Sequence, residues 1–113
     1  MKIGMERLEF FCSGKIAFTY ILKSDFEKVG ATIGEHEGIV DIGRNIDGVE
    51  ISIFVREDDG WTVSLRSTGN VAVNEIAKKI NGGGHFMAAG GKMYGSFDEV
   101  KSYLIDESER SLL

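Results

Sequence analysis

At Gly48 the spacing of apolar residues changes from helical to alternating, and that switch decides what kind of fold the chain can adopt. Before it, Ile39, Ile42 and Ile46 fall on one face of a helix expected over residues 36–47. After it, Val49, Ile51, Ile53 and Val55 alternate with Glu50, Ser52 and Phe54, the pattern of a strand with one core face. Asp58-Asp59-Gly60 supplies turn residues, and Trp61, Val63 and Leu65 then alternate with Thr62, Ser64 and Arg66. The two runs form a β-hairpin that puts Ser64 and Arg66 together on the face opposite Leu65.

The remaining elements follow from the same signals. Ile16 to Leu22 is short, β-branched and aromatic, and reads as a strand buried on both faces. Ser24-Asp25-Phe26-Glu27 and Ser96-Phe97-Asp98-Glu99 are capping boxes. The first opens a short helix stopping at Gly30; the second opens a final helix with Phe97, Val100 and Leu104 inward. Val73, Ile76, Ala77 and Ile80 form another helical stripe, broken at Asn81 and Gly82, and Gly90 to Ser96 holds a short strand. The predicted fold is α/β (or α+β): a mixed sheet of about four to five strands with helices packed against it. A length of 113 residues fits one domain. Residues 1–14 read as an N-terminal linker segment and 15–113 as the folded domain.

Charge and composition narrow the function classes. The net charge is −5, yet residues 61–95 hold Arg66, Lys78, Lys79 and Lys92 against Glu75 alone. One basic stretch in a mildly acidic chain reads either as a chance fluctuation in a short window or as a local anion site, and it does not fit a general coat for nucleic acid. Cys12 is the only cysteine, which excludes an internal disulfide and fits a cytoplasmic protein. No apolar run approaches the roughly 18 residues that would cross a bilayer, so no membrane partner is expected.

The basic stretch contains Gly82-Gly83-Gly84-His85-Phe86-Met87-Ala88-Ala89-Gly90-Gly91-Lys92. Three glycines after a helix let a ligand approach bare N–H groups, and the following residues are expected to begin a short helix whose first amides point at the same place. Such a turn makes a nest for anions, with His85 at its mouth. It is neither a P-loop, since Phe86 stands five before Gly91 and Met93 follows Lys92, nor a dinucleotide turn, since Met87 stands where that pattern needs glycine. The plain alternatives are a flexible connection for the glycines and a structural role for His85. For Arg66 the alternative is half of a surface ion pair, for Ser67 a strand-end turn residue. Phe86 is expected in the core, with contact to a base as its alternative.

Taken together, Ser64-Leu65-Arg66-Ser67, Val71 to Ala77, Gly82-Gly83-Gly84-His85 and Ala88-Ala89-Gly90 resemble the DHH-associated C-terminal domain of the DHH phosphoesterases. That group includes bacterial oligoribonucleases that also dephosphorylate adenosine bisphosphate, cyclic di-AMP phosphodiesterases, single-strand exonucleases and exopolyphosphatase-related proteins. The likeness runs from about Lys15 to Leu104, with Asn81 where many members have a fourth glycine. It implies that Arg66, Ser67, Gly82, Gly83, Gly84 and His85 bind the phosphate and nucleotide of the substrate. It also implies partners: a nucleotide or short single-stranded RNA or DNA, and a separate N-terminal DHH domain holding two metal ions, usually manganese. This chain has two histidines, His36 and His85, and no D-H-H triplet, so no cofactor of its own is expected. The cluster Glu35-His36-Glu37 reads as the acidic start of a helix rather than a metal site. The rival reading is a non-catalytic interaction module, including a homodimer, using exposed apolar residues such as Val29 and Ile33.

Overall fold

A computed structural model describes residues 6–25 and 38–112. The chain forms one α+β domain, with strands β1 (Glu9–Phe11), β2 (Ile16–Ile21), β3 (Ile51–Glu57), β4 (Trp61–Ser67), β5 (Gly83–His85) and β6 (Ala88–Met93). Three helices lie wholly within the described residues, α1 (Ile39–Arg44), α2 (Val73–Lys78) and α3 (Phe97–Ser111), and residues 23–25 are also helical. The strands make one six-stranded sheet in the order β1-β2-β3-β4-β6-β5, with β2 and β3 parallel and the other neighbours antiparallel. The first capping box, the helix it opens and the residues Val29, Ile33 and Glu35-His36-Glu37 lie wholly or partly outside the described residues.

The sheet has six strands where about four to five are expected, and two of them match no strand read from the sequence. Glu9–Phe11, within the segment read as linker, pairs with Phe18, Ala17 and Ile16 as an edge strand. Gly83–His85 is the opposite edge. At three residues each, neither is long enough to show an alternating pattern.

The sheet is covered on both faces, but unequally. On one face Ile16, Phe18, Ile51, Ile53, Val63, Leu65 and Ala89 pack with α2 and α3 into the main core. The predicted inward positions of α2, namely Val73, Ile76, Ala77 and Ile80, are all buried there, as are Val100 and Leu104 of α3. The second capping box forms as expected: Ser96 Oγ accepts from the Glu99 amide, and the Glu99 carboxylate accepts from the Ser96 amide. On the other face, among the described residues, α1 covers β2, β3 and the edge of β4, closing a smaller core of Ile21, Ile39, Val40 and Phe54.

That second core corrects two expectations. β3 does not have one core face; Ser52 and Phe54 are buried beneath α1. The buried face of α1 is Ile39, Val40 and Gly43, while Ile42 and Ile46 are only half-buried. Gly43 is the reason. A Cβ there would lie 2.4 Å from Ser52 Oγ, so a bare backbone lets the helix press directly onto the sheet. The rest of that face, over β4, β6 and β5, is where the candidate site lies.

Candidate substrate-binding face

Sheet register puts the two charged candidates in one row. Ala88 is opposite Arg66 on one side and opposite His85 on the other. Residues directly opposite in antiparallel strands point to the same face, so Arg66 and His85 share it. Two strand spacings separate their Cα atoms, about 10 Å. The next row is Ser64, Gly90 and Gly83. The floor between the two charged residues is thus built of alanine, glycine and serine, which keeps it shallow and open.

The glycine segment is not a nest at the start of a helix. It is a hairpin whose turn is Phe86-Met87, and no helix begins at His85. The local sequence does not reveal this, because the turn is held from outside. The Ser67 amide donates to the Met87 carbonyl at 3.0 Å, and the Val73 amide donates to the Phe86 carbonyl at 2.9 Å. These bonds satisfy the end of β4 and the start of α2 together, and they favour strand over helix here. At the turn Phe86 is 51% and Met87 48% exposed, which corrects the expectation that Phe86 belongs to the core.

The three glycines differ. The Gly82 amide donates to the Ala77 carbonyl at 2.8 Å, and a Cβ at Gly82 would lie 2.1 Å from the Gly90 carbonyl oxygen. Gly84 has φ +142° and faces Ala89, where a Cβ would meet the Ala89 Cα at 2.5 Å. Gly83 faces open space. Gly82 and Gly84 therefore shape the hairpin, and Gly83 leaves the open face clear. Asn81, where the chain turns out of α2, has φ +58°, a conformation asparagine tolerates.

Ser67 is fully buried, and its hydroxyl donates to the Val71 carbonyl at 2.7 Å. Its side chain closes the turn after β4 and its amide anchors the hairpin tip. Arg66 is partly engaged: Nε donates to Asp41 Oδ1 at 3.1 Å and Nη1 to the Leu65 carbonyl at 3.0 Å. Among the described residues its Nη2 has no partner and the His85 side chain is unpaired. Asp41, missed by the sequence reading, comes from α1, and no local signal links it to a strand 25 positions away.

A groove of about 380 Å³ continues from this face between the end of α1 and the hairpin tip. It is lined by Arg44, Asn45, Ser67, Thr68 and Met87. Among the described residues, no three His, Cys, Asp or Glu side chains come together so as to hold a metal ion. No helix among them is long and apolar enough to cross a membrane.

Residues 13–110 match the model of the DHHA1 domain. The chain belongs to that family. It is 42% identical over 91 residues to the bifunctional oligoribonuclease and PAP phosphatase NrnA of Bacillus subtilis, covering 80% of this chain and 28% of that protein. The protein of the same name from Thermus thermophilus is 39% identical over 62 residues, 54% of this chain and 19% of the relative. Among solved structures, an exopolyphosphatase-related protein from Bacteroides fragilis superposes with a TM-score of 0.87 at 31% identity, over 95% of this chain and 32% of that one. A pGpG-specific phosphodiesterase from Vibrio cholerae shares the fold, with a TM-score of 0.69 at 15% identity over 97% of this chain and 37% of that one. This DHHA1 domain thus spans less than a third of the length of the NrnA relatives, in which the domain is part of a larger protein.

Proposed function

We propose that this DHHA1 domain is the substrate-binding part of a DHH phosphoesterase and grips the phosphate of a nucleotide or of the end of a short single strand. The observation that carries the reading is the row Arg66–Ala88–His85 on the half of the sheet that no described helix covers. A guanidinium and an imidazole on one face, over a floor of small residues, suit a phosphoryl group lying flat between them. The names of the relatives, which act on oligoribonucleotides and PAP, agree with that chemistry. Gly83 lets the ligand approach the backbone, while Gly82, Gly84 and Ser67 hold the hairpin in shape. Phe86, exposed beside His85, offers a ring on which a base can stack.

The described residues do not fit a two-metal centre. In this proposal bond cleavage belongs to a separate N-terminal DHH domain carrying manganese, and closure of the two domains sets the bound phosphate in place. Each charge-assisted hydrogen bond contributes about 1.5–3 kcal/mol, and association entropy offsets much of two or three such bonds. The domain alone is therefore expected to bind adenosine 5′-monophosphate (AMP) with Kd roughly in the high-micromolar to millimolar range. Calorimetry on the wild type, Arg66→Ala and His85→Ala tests it. Each variant is expected to weaken binding about tenfold, and unchanged affinity in both contradicts the proposal.

A further inference from the structure

We infer that Asp41 is a positioning residue for the proposed site, holding the Arg66 guanidinium so that its Nη2 group is presented to the phosphate. The inference rests on the proposed function and adds a residue that no sequence motif singles out. α1 reaches Arg66 because of Gly43. Ser52 stands directly opposite Arg66 in the β3–β4 pair, and a Cβ at Gly43 would lie 2.4 Å from Ser52 Oγ. The bare backbone at Gly43 thus seats α1 low over the row that carries Arg66. Asp41, from the same helix, then places its Oδ1 3.1 Å from Arg66 Nε. The same oxygen lies 3.4 Å from Arg44 Nη2. The strand itself fixes the guanidinium a second time, through Nη1 to the Leu65 carbonyl at 3.0 Å. With two of the three nitrogens of a planar group held, the direction of the third is set.

Stability does not account for the contact. The Asp41 side chain is 46% and that of Arg66 25% exposed, and ion pairs so exposed add little to folding. α1 is already held to the sheet by Ile39 and Val40 in the smaller core. Nor does charge favour an acid here, since a carboxylate against the guanidinium opposes an incoming phosphate. What the contact supplies is order. An unanchored arginine loses its rotamer freedom when it grips a ligand, and Asp41 removes that loss before the ligand arrives.

The test is calorimetric titration of the 113-residue chain and its variants with AMP, together with the Arg66 Nε–H resonance in isotope-labelled protein. That resonance is identified by its absence from Arg66→Lys. Asp41→Ala is expected to weaken AMP binding about three- to tenfold and to broaden the resonance through exchange with water. Alanine is a better helix former than aspartate, so the variant is expected to fold. Asp41→Asn keeps the one oxygen that both arginines use and removes the charge. It is expected to keep the resonance sharp and to bind AMP at least as tightly as the wild type. A purely electrostatic role moves the other way, because both variants would then bind more tightly. Affinity that is unchanged or raised in Asp41→Ala overturns the positioning role. So does an equal loss in Asp41→Asn and Asp41→Ala, or a resonance that Asp41→Ala leaves sharp. If Arg66→Ala still weakens AMP binding in those cases, the proposed function stands. If Arg66→Ala leaves AMP binding unchanged, the proposed function fails and this inference fails with it.

Discussion

Gly82 and Gly83 are adjacent, yet replacing each with alanine should do opposite things. At Gly82 the new methyl meets the Gly90 carbonyl at 2.1 Å, backbone against backbone, so the hairpin must shift. A loss of about 1–3 kcal/mol is expected, the usual scale for overpacking, read from thermal or urea melts. At Gly83 the methyl enters open space on the face shared with His85. Stability should stay within about 0.5 kcal/mol, while AMP binding weakens because the ligand can no longer approach the backbone. Loss of stability without loss of binding at Gly83 would contradict the assignment of that face. The sequence shows that three glycines matter, but their separate jobs depend on Ala77, Ala89 and Gly90, contacts that only the folded sheet brings together. Arg66 was legible on its strand from alternation alone. Its partner Asp41 was not, because a lone acid on a helix carries no sign of what it will face.

The β5–β6 hairpin is the element whose local sequence misleads most. His85 to Ala89 has residues a helix would accept, and the strand wins because amides from Ser67 and Val73 take the turn's two carbonyls. Elements whose signals are internal were readable. Alternation gave the β3–β4 hairpin, and a reciprocal cap gave the start of α3. Removing that cap with Ser96→Ala should cost about 1 kcal/mol, measurable as a lower melting temperature, with phosphate binding unchanged because α3 packs on the opposite side of the sheet. A melting temperature equal to the wild type would contradict the cap's role. At the far end of the sheet from the site, Lys92 Nζ joins Asp58 at 2.7 Å and Asp59 at 2.6 Å. This lysine was counted in the basic stretch, but its charge is spent on the β3–β4 turn. The proposed anion site would therefore draw on Arg66 and His85.

At the scale of the whole domain, the carboxylates of Asp58, Glu99 and Glu107 are tied to partners that favour their charged form. Burial works against the Asp58 carboxylate, but bonds from Lys92, Thr62 and the Gly60 amide outweigh it and hold the carboxyl well below the usual range. The Ser96 amide lowers Glu99, and Lys79, with further help from Arg110, lowers Glu107 against the cost of its burial. Glu107 thereby links α2 to α3 through a 2.6 Å bond from Lys79. All three bind protons less readily folded than unfolded, so their contribution is complete above their ordinary values of 3.8 and 4.5 and is lost as pH falls through their lowered ones. Melting temperature should therefore hold between about pH 6 and 7 and fall steadily below about pH 4.5, more shallowly in Glu107→Gln. A melting temperature that rises on acidification would contradict these assignments. The binding claim is tested most directly by following backbone amide shifts while AMP is added to the intact chain. Concentrated shifts at residues 66–67 and 82–88, absent in His85→Ala, are expected; shifts gathered instead around α3, or none at millimolar ligand, would contradict the role given to this face.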